Sequence, residues 1–212
     1  MPVQWLAMLT MLTDHLGYAF FPDERYLRVI GRIAFPIYCY FLVLGYQRTR
    51  NVRKYTIRLL IIAALSQLPF MYAFDITNLN VVCTLFISLL LMIAIDKLSL
   101  KYFPVSLLLI LAVGWLADQL HMDYGMYGVL LVLVFRYTTG YWVIFAHLAL
   151  TVVFVLFGGF SDIQVFSVLA TALIAIHLQL YPKTKLYSPP RWIWRSFYPA
   201  HLAIIAIIRL VF

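Results

Sequence analysis

"PVQWLAMLTMLTDHLGYAFF", Pro2 to Phe21, holds twenty residues and two ionisable neighbours, Asp14 and His15. A helix of roughly 17–25 apolar residues crosses the hydrocarbon core of a bilayer, so the length fits one span. A charge placed in hydrocarbon is costly unless it faces a polar cavity or a partner. The stretch therefore reads as a membrane helix with one interior, polar face, and that implies a bundle around it. No basic region with a small-residue cleavage site precedes the run, so it is expected to stay as a helix.

The rest of the chain agrees. Of 212 residues, 65% are hydrophobic and 11% charged, against about 25% charged in soluble domains. The expected architecture is an all-α, polytopic transmembrane bundle, a single domain over residues 1–212. About nine spans are expected, with eight to ten possible, at about 2–21, 30–46, 56–73, 79–96, 104–120, 124–137, 141–159, 163–181 and 193–211. The fifth and sixth are short. The longest polar stretch, "YPKTKLYSPPRW", carries paired prolines that stop a helix.

Loop charge sets the orientation. Arg48, Arg50, Arg53, Lys54 and Arg58 follow the second span, Lys97 and Lys101 the fourth, Arg136 the sixth, and Lys183, Lys185, Arg191 and Arg195 the eighth. Asp75, then Asp118 and Asp123, then Asp162 occupy the alternate loops. This places the N-terminus in the cytoplasm and the C-terminus outside, in the cell membrane. One loop departs: "PDERYLRVIGR", expected outside, carries Arg25, Arg28 and Arg32, partly offset by Asp23 and Glu24. The net charge of +8 belongs to these loops and not to a nucleic-acid surface. Cys39 and Cys83 read as small core residues, and no His, Asp, Glu or Cys spacing makes a metal site.

Several residues could carry chemistry. His15 has an ordinary pKa suited to taking a proton from an amine or hydroxyl near neutral pH. Asp14 could orient the ring, although adjacent helical residues point about 100° apart, and it could instead neutralise a loop arginine. Gln4, Met8, Met11 and His15 share one helical face about 16 Å long, which could line a tunnel. Arg25, Arg28 and Arg32 form a second stripe if helical. Pro36 is expected to break the following helix near its start and free backbone groups. Asn80 and Thr84 share a face; Asp123 precedes a glycine-containing helix and could cap it. Arg195, Tyr198 and His201 follow at threes in the last span, while His121, His147 and His177 look less specific.

Taken in order, these motifs resemble the TraX family of integral membrane proteins, named for the pilin N-acetylase of conjugative plasmids. The similarity covers nearly the whole chain. It runs through "MLTDHLG" (Met11–Gly17), "RVIGRIAFPIYCYFLVLGYQRTRN" (Arg28–Asn51) and "YTIRLLIIAALSQLPF" (Tyr55–Phe70). It continues through Asn80 and Thr84, "DYGMYGVLL" (Asp123–Leu131) and "FYPAHL" (Phe197–Leu202). The family is distantly similar to the acyltransferase-3 membrane enzymes, which carry an arginine eleven residues before a catalytic histidine. His15 falls in the histidine position; Gln4 replaces the basic residue.

The resemblance implies transfer of an acetyl group from cytoplasmic acetyl-CoA to an amine or hydroxyl acceptor at the outer face: a pilin amino terminus, a glycan or a small metabolite. Asp14 and His15 would form the catalytic centre. Arg28, Arg32, Asn80, Thr84, Asp123, Tyr198 and His201 would surround substrate or stabilise the oxyanion. Arg48, Arg53, Lys54 and Arg58, or Arg191 and Arg195, would meet the phosphates of CoA. Two other readings use the same residues: a secondary transporter with Asp14, His15 and Arg32 as a relay, or a non-catalytic membrane assembly factor.

Overall fold

The computed structural model describes residues 3–98, 102–180 and 189–211. Lys101, Lys183 and Lys185, used above for orientation, lie outside the described residues, as does most of "YPKTKLYSPPRW". Among the described residues regular structure is helical apart from an isolated bridge between Leu79 and Met122. Ten α-helices follow one another: α1 Val3–Phe20, α2 Arg25–Gly31, α3 Ala34–Arg48, α4 Val52–Phe74, α5 Val81–Asp96, α6 Phe103–Gln119, α7 Gly125–Tyr137, α8 Trp142–Phe157, α9 Ser167–Leu180 and α10 Arg191–Val211. A short 3-10 turn, Asp162–Phe166, leads into α9.

The second expected span is a broken helix, α2 and α3, that begins five residues earlier than the sequence suggests. The break falls at Arg32 and Ile33, and not at Pro36, which sits in the first turn of α3. Proline has no N–H and its ring clashes with the carbonyl four residues back; here that carbonyl belongs to Arg32. The proline thus ends the preceding helix instead of interrupting its own. Gly31 closes α2 where a Cβ would run into the Asp14 carboxylate, so this glycine lets α2 lie directly against α1.

Among the described residues three helical stretches are long and apolar enough, by length and composition, to cross a membrane: Arg25–Arg48, Val52–Phe74 and Asp162–Gln179. Four further apolar helices, α5 to α8, are shorter. The 13 residues of α7 extend only about 20 Å at 1.5 Å per residue, less than a bilayer core. Helix length alone therefore gives fewer complete spans than the nine expected. Large apolar side chains face outward along α6 and α8, among them Leu108, Trp115, Phe145 and Phe157, as suits helices solvated by lipid.

Contacts at the helix ends sort the loops into two sets. At one end, Arg136 binds Asp96 at 3.0 Å, and the Tyr46 hydroxyl donates to the same carboxylate at 2.9 Å. At the other, the Leu79 N–H donates to the His121 carbonyl at 3.1 Å and the Asp123 N–H to the Leu79 carbonyl at 2.8 Å. One core joins α3, α5 and α7 around Leu89, Met92, Tyr127 and Leu131. A second joins α1, α4 and α10 around Met11, Phe70 and Leu202. A cavity lies between the two.

Candidate functional site

The cavity has a volume of about 660 Å³ and touches α1, α2, α3, α4, α5, α10 and the loop before α7. Gln4, Met11, Asp14, His15 and Tyr18 line it from α1. These positions follow the 3.6-residue period of one helical face. At one end its wall holds Arg48, Arg58, Arg191 and Arg195; at the other it holds Asp14, His15, Arg28, Arg32 and Asp123. Phe35, Tyr38, Phe41, Leu59, Ile62 and Trp194 line the section between.

His15 is buried, and its Nδ1 lies 2.7 Å from Nε2 of His201. His201 Nδ1 lies 2.6 Å from the carbonyl oxygen of Phe197. A carbonyl can only accept, so His201 Nδ1 carries a proton. In the neutral ring its Nε2 then presents a lone pair, and His15 Nδ1–H donates to it. His15 Nε2 is left with its lone pair and with no hydrogen-bond partner among the described residues. The rings of Phe74 and Tyr198 stand edge-on to His15, at 5.0 and 6.1 Å between centroids, and fix its plane.

Asp14 does not contact the neighbouring imidazole. It binds Arg28 at 2.9 Å and Arg32 at 3.0 Å, and Arg28 also donates to the Asp14 backbone carbonyl. The reason is the 100° turn between adjacent helical residues: Asp14 faces α2 while His15 faces α10. Arg32 is held further by its own Nε–H on the Arg28 carbonyl and by NH1 on Gln164 Oε1, both at 3.3 Å. Arg28 lies over the Tyr18 ring and Arg32 over that of Tyr124.

Asp123 reaches this end of the cavity from a strained loop. His121 and Tyr124 have φ of 46° and 64°, and Gly125 has 41°; non-glycine residues seldom occupy that region, and such strain concentrates at functional sites. Burial pushes the Asp123 carboxyl up to about 6, against the opposing pull of Arg32.

The family model described as TraX protein matches residues 2–209. The chain belongs to the TraX family. It is also similar to the probable fimbrial assembly protein FimC, serogroup H1, of Dichelobacter nodosus: 32% identical over 235 residues, 94% of this chain and 91% of that one. A short stretch of 36 residues is 44% identical to the uncharacterized protein RP591 of Rickettsia prowazekii (strain Madrid E), covering 17% of this chain and 14% of that protein. No solved structure matches the chain significantly.

In this TraX family member the structure regroups the residues singled out in the sequence. His15, His201, Tyr198, Asp14, Arg28, Arg32 and Asp123 come together. Asn80 and Thr84 do not reach the cavity; both are fully buried and occupied. Asn80 caps α5 by accepting from the Val82 N–H and donates to the Ala63 carbonyl and to Gln67. The Thr84 hydroxyl donates to the Asp123 carbonyl at 2.5 Å. Thr84 thus holds the loop that carries Asp123, whereas the Asn80 side chain is committed to α4 and to the cap of α5, away from the cavity lining. Arg53 and Lys54 are exposed away from the cavity, whereas Arg48 and Arg58 join Arg191 and Arg195 at one mouth. The two basic clusters offered as alternatives by the sequence, less Arg53 and Lys54, line the same cavity. Gln164 was missed; a lone glutamine in the apolar run "DIQVFSVLA" was its only signal. Two polar atoms on residues lining the cavity, Gln4 Oε1 and Tyr38 OH, are buried with no hydrogen-bond partner among the described residues, while Tyr198 OH lies near the Val81 backbone.

Proposed function

We propose that this protein is a membrane-embedded acetyltransferase that takes its acetyl group from cytoplasmic acetyl-CoA. One observation carries the reading: a single cavity joins four arginines at one mouth to the free Nε2 of His15 near the other. Arg48, Arg58, Arg191 and Arg195 suit the phosphates of CoA, and the largely apolar section between suits its arm and thioester. The acceptor enters from the Asp123 end. Its amine or hydroxyl attacks the thioester carbonyl and His15 Nε2 takes its proton. His201 holds the reactive tautomer and spreads the positive charge that forms. Arg32 faces the developing oxyanion. When the C–S bond breaks, His15 returns the proton to the CoA sulfur.

The orientation that serves this reading places the Arg48 and Arg195 mouth and the N-terminus in the cytoplasm, with the Asp123 end and the C-terminus outside and the chain crossing about nine times as one domain. The acceptor is a protein amino terminus, a glycan or a small metabolite. Purified protein given labelled acetyl-CoA and acceptor in a single turnover tests the chemistry. His15→Ala should lower the chemical step by about 10²–10⁴ while CoA still binds. A wild-type rate in that variant would remove the catalytic assignment. The similarity to a probable fimbrial assembly protein favours a second reading, a non-catalytic assembly factor; a protein of that kind would show no CoA-dependent rise in melting temperature.

A further inference from the structure

A second polar cluster lies outside the cavity, between α7, α8 and the start of α9. His147, Thr151, Gln164, Ser167, Thr171 and Tyr127 are each at most 1% exposed. In a bundle where such groups are expensive, a cluster this dry must be fully paired, and the direction of its first two bonds is fixed. Arginine can only donate, so Arg32 NH1 fixes Gln164 with Oε1 toward itself. That turns Gln164 Nε2–H onto the Tyr127 hydroxyl at 3.2 Å. Tyr127 in turn meets His147 Nε2 at 2.9 Å, and His147 Nδ1 meets the Thr171 hydroxyl at 2.6 Å. The chain of bonds thus starts at the cavity wall and ends deep between α8 and α9.

Counting donors on Arg32 shows what the anchor accomplishes. A guanidinium has five N–H groups. One goes to the Arg28 carbonyl, one to Gln164 and one, shared between both carboxylate oxygens at 3.0 and 3.4 Å from the same nitrogen, to Asp14. Two remain, one on each terminal nitrogen of a side chain that lines the cavity. Held on three sides, the plane cannot turn.

We propose that Gln164, itself oriented by Tyr127, is a positioning residue that aims the two uncommitted N–H groups of Arg32 at the reacting carbonyl oxygen. The inference rests on the acetyltransferase reading and adds residues to it that never touch substrate. Gln164→Met keeps length and volume but removes the acceptor; Gln164→Glu restores an acceptor oxygen. Misaiming a stabilising group typically costs one to two orders of magnitude. Gln164→Met should therefore lower kcat about 10- to 100-fold with KM for acetyl-CoA within about threefold, since the CoA mouth lies at the other end. Gln164→Glu should regain most of that loss. Tyr127→Phe combined with Gln164→Met should be no worse than the more damaging single change, because both act through Arg32.

A second readout needs no turnover. Phenylglyoxal adds to both terminal nitrogens of an arginine, and peptide mapping reports its rate at Arg32. Release of the clamp in Gln164→Met should raise that rate several-fold. Unchanged kcat, or equal losses in kcat and thermal stability that Gln164→Glu does not repair, would overturn the proposal, as would an unchanged adduct rate at Arg32. Wild-type protein that transfers no acetyl group overturns the underlying acetyltransferase reading, and the adduct rate then decides separately whether Gln164 clamps Arg32.

Discussion

Replacing Asp14 by alanine should damage stability before chemistry, and the structure gives the size. The carboxylate is the shared partner of Arg28 and Arg32, with side chains 13%, 25% and 12% exposed respectively. Removing one partner of a buried ion pair costs about 3–5 kcal/mol, because the remaining charge is left uncompensated. Arg28 reaches solvent at a quarter of its surface and is screened, so the lower figure, about 3 kcal/mol, applies. In a chain of this length 1 kcal/mol moves the melting temperature by about 2–4 °C, which makes the expected fall about 6–12 °C. Cys39 supplies the assay: its thiol is fully buried, so a thiol-reactive dye reports unfolding in detergent when Cys83 has been replaced by alanine. Removing Arg32 as well, as Asp14→Ala with Arg32→Leu, should cost less than the sum of the two single changes by at least about 1 kcal/mol. Melting of Asp14→Ala within about 2 °C of wild type would refute the argument that the ion pairs of Asp14 hold α2 against α1.

Arg58→Glu or Arg195→Glu should weaken CoA binding about tenfold, near 1.4 kcal/mol, while Arg53→Glu changes it less than about twofold, since Arg53 lies off the cavity; calorimetric titration at two salt concentrations checks both, with added salt weakening the wild type. Asp123→Asn should stabilise the protein above pH 6. The folded carboxyl sits at about 6, above its ordinary value of 3.8, so its ionisation opposes folding; the penalty is absent below about pH 4, accrues between about pH 4 and 6 and levels off above that, at no more than about 3 kcal/mol. Equal melting of the two proteins at pH 8 would remove the buried-carboxyl argument. A cysteine near Arg50 in a cysteine-free chain should resist an impermeant thiol reagent in intact cells while one at Asp162 reacts, and the reverse pattern would invert the proposed entry side for acetyl-CoA.

The sequence alone determined what depends on neighbours along the chain. Helical period placed Gln4, Met8, Met11 and His15 on one face of α1; Gln4, Met11 and His15 line the cavity, while Met8 is buried in the packing beside it. Composition made the chain a helical membrane protein, and motif order made it a TraX family member. Arg28 and Arg32, spaced by four, were legible as one stripe. Tertiary structure decided everything that depends on how helices are rotated against each other. His15 and His201 stand 186 positions apart, and no local pattern says which histidine meets which. The Asp-His pair looked like a unit because its members are adjacent, yet the helical turn sends one carboxylate to α2 and one imidazole to α10. Asn80 and Arg53 read as site residues by chemistry alone; packing turned the first into a helix cap and left the second outside. Gln164 was silent for the same reason in reverse: a single amide has no period, and its meaning appears only when the 3-10 turn before α9 brings it against Arg32. Side-chain type and spacing are short-range properties, whereas partner choice is fixed by the burial of whole helix faces.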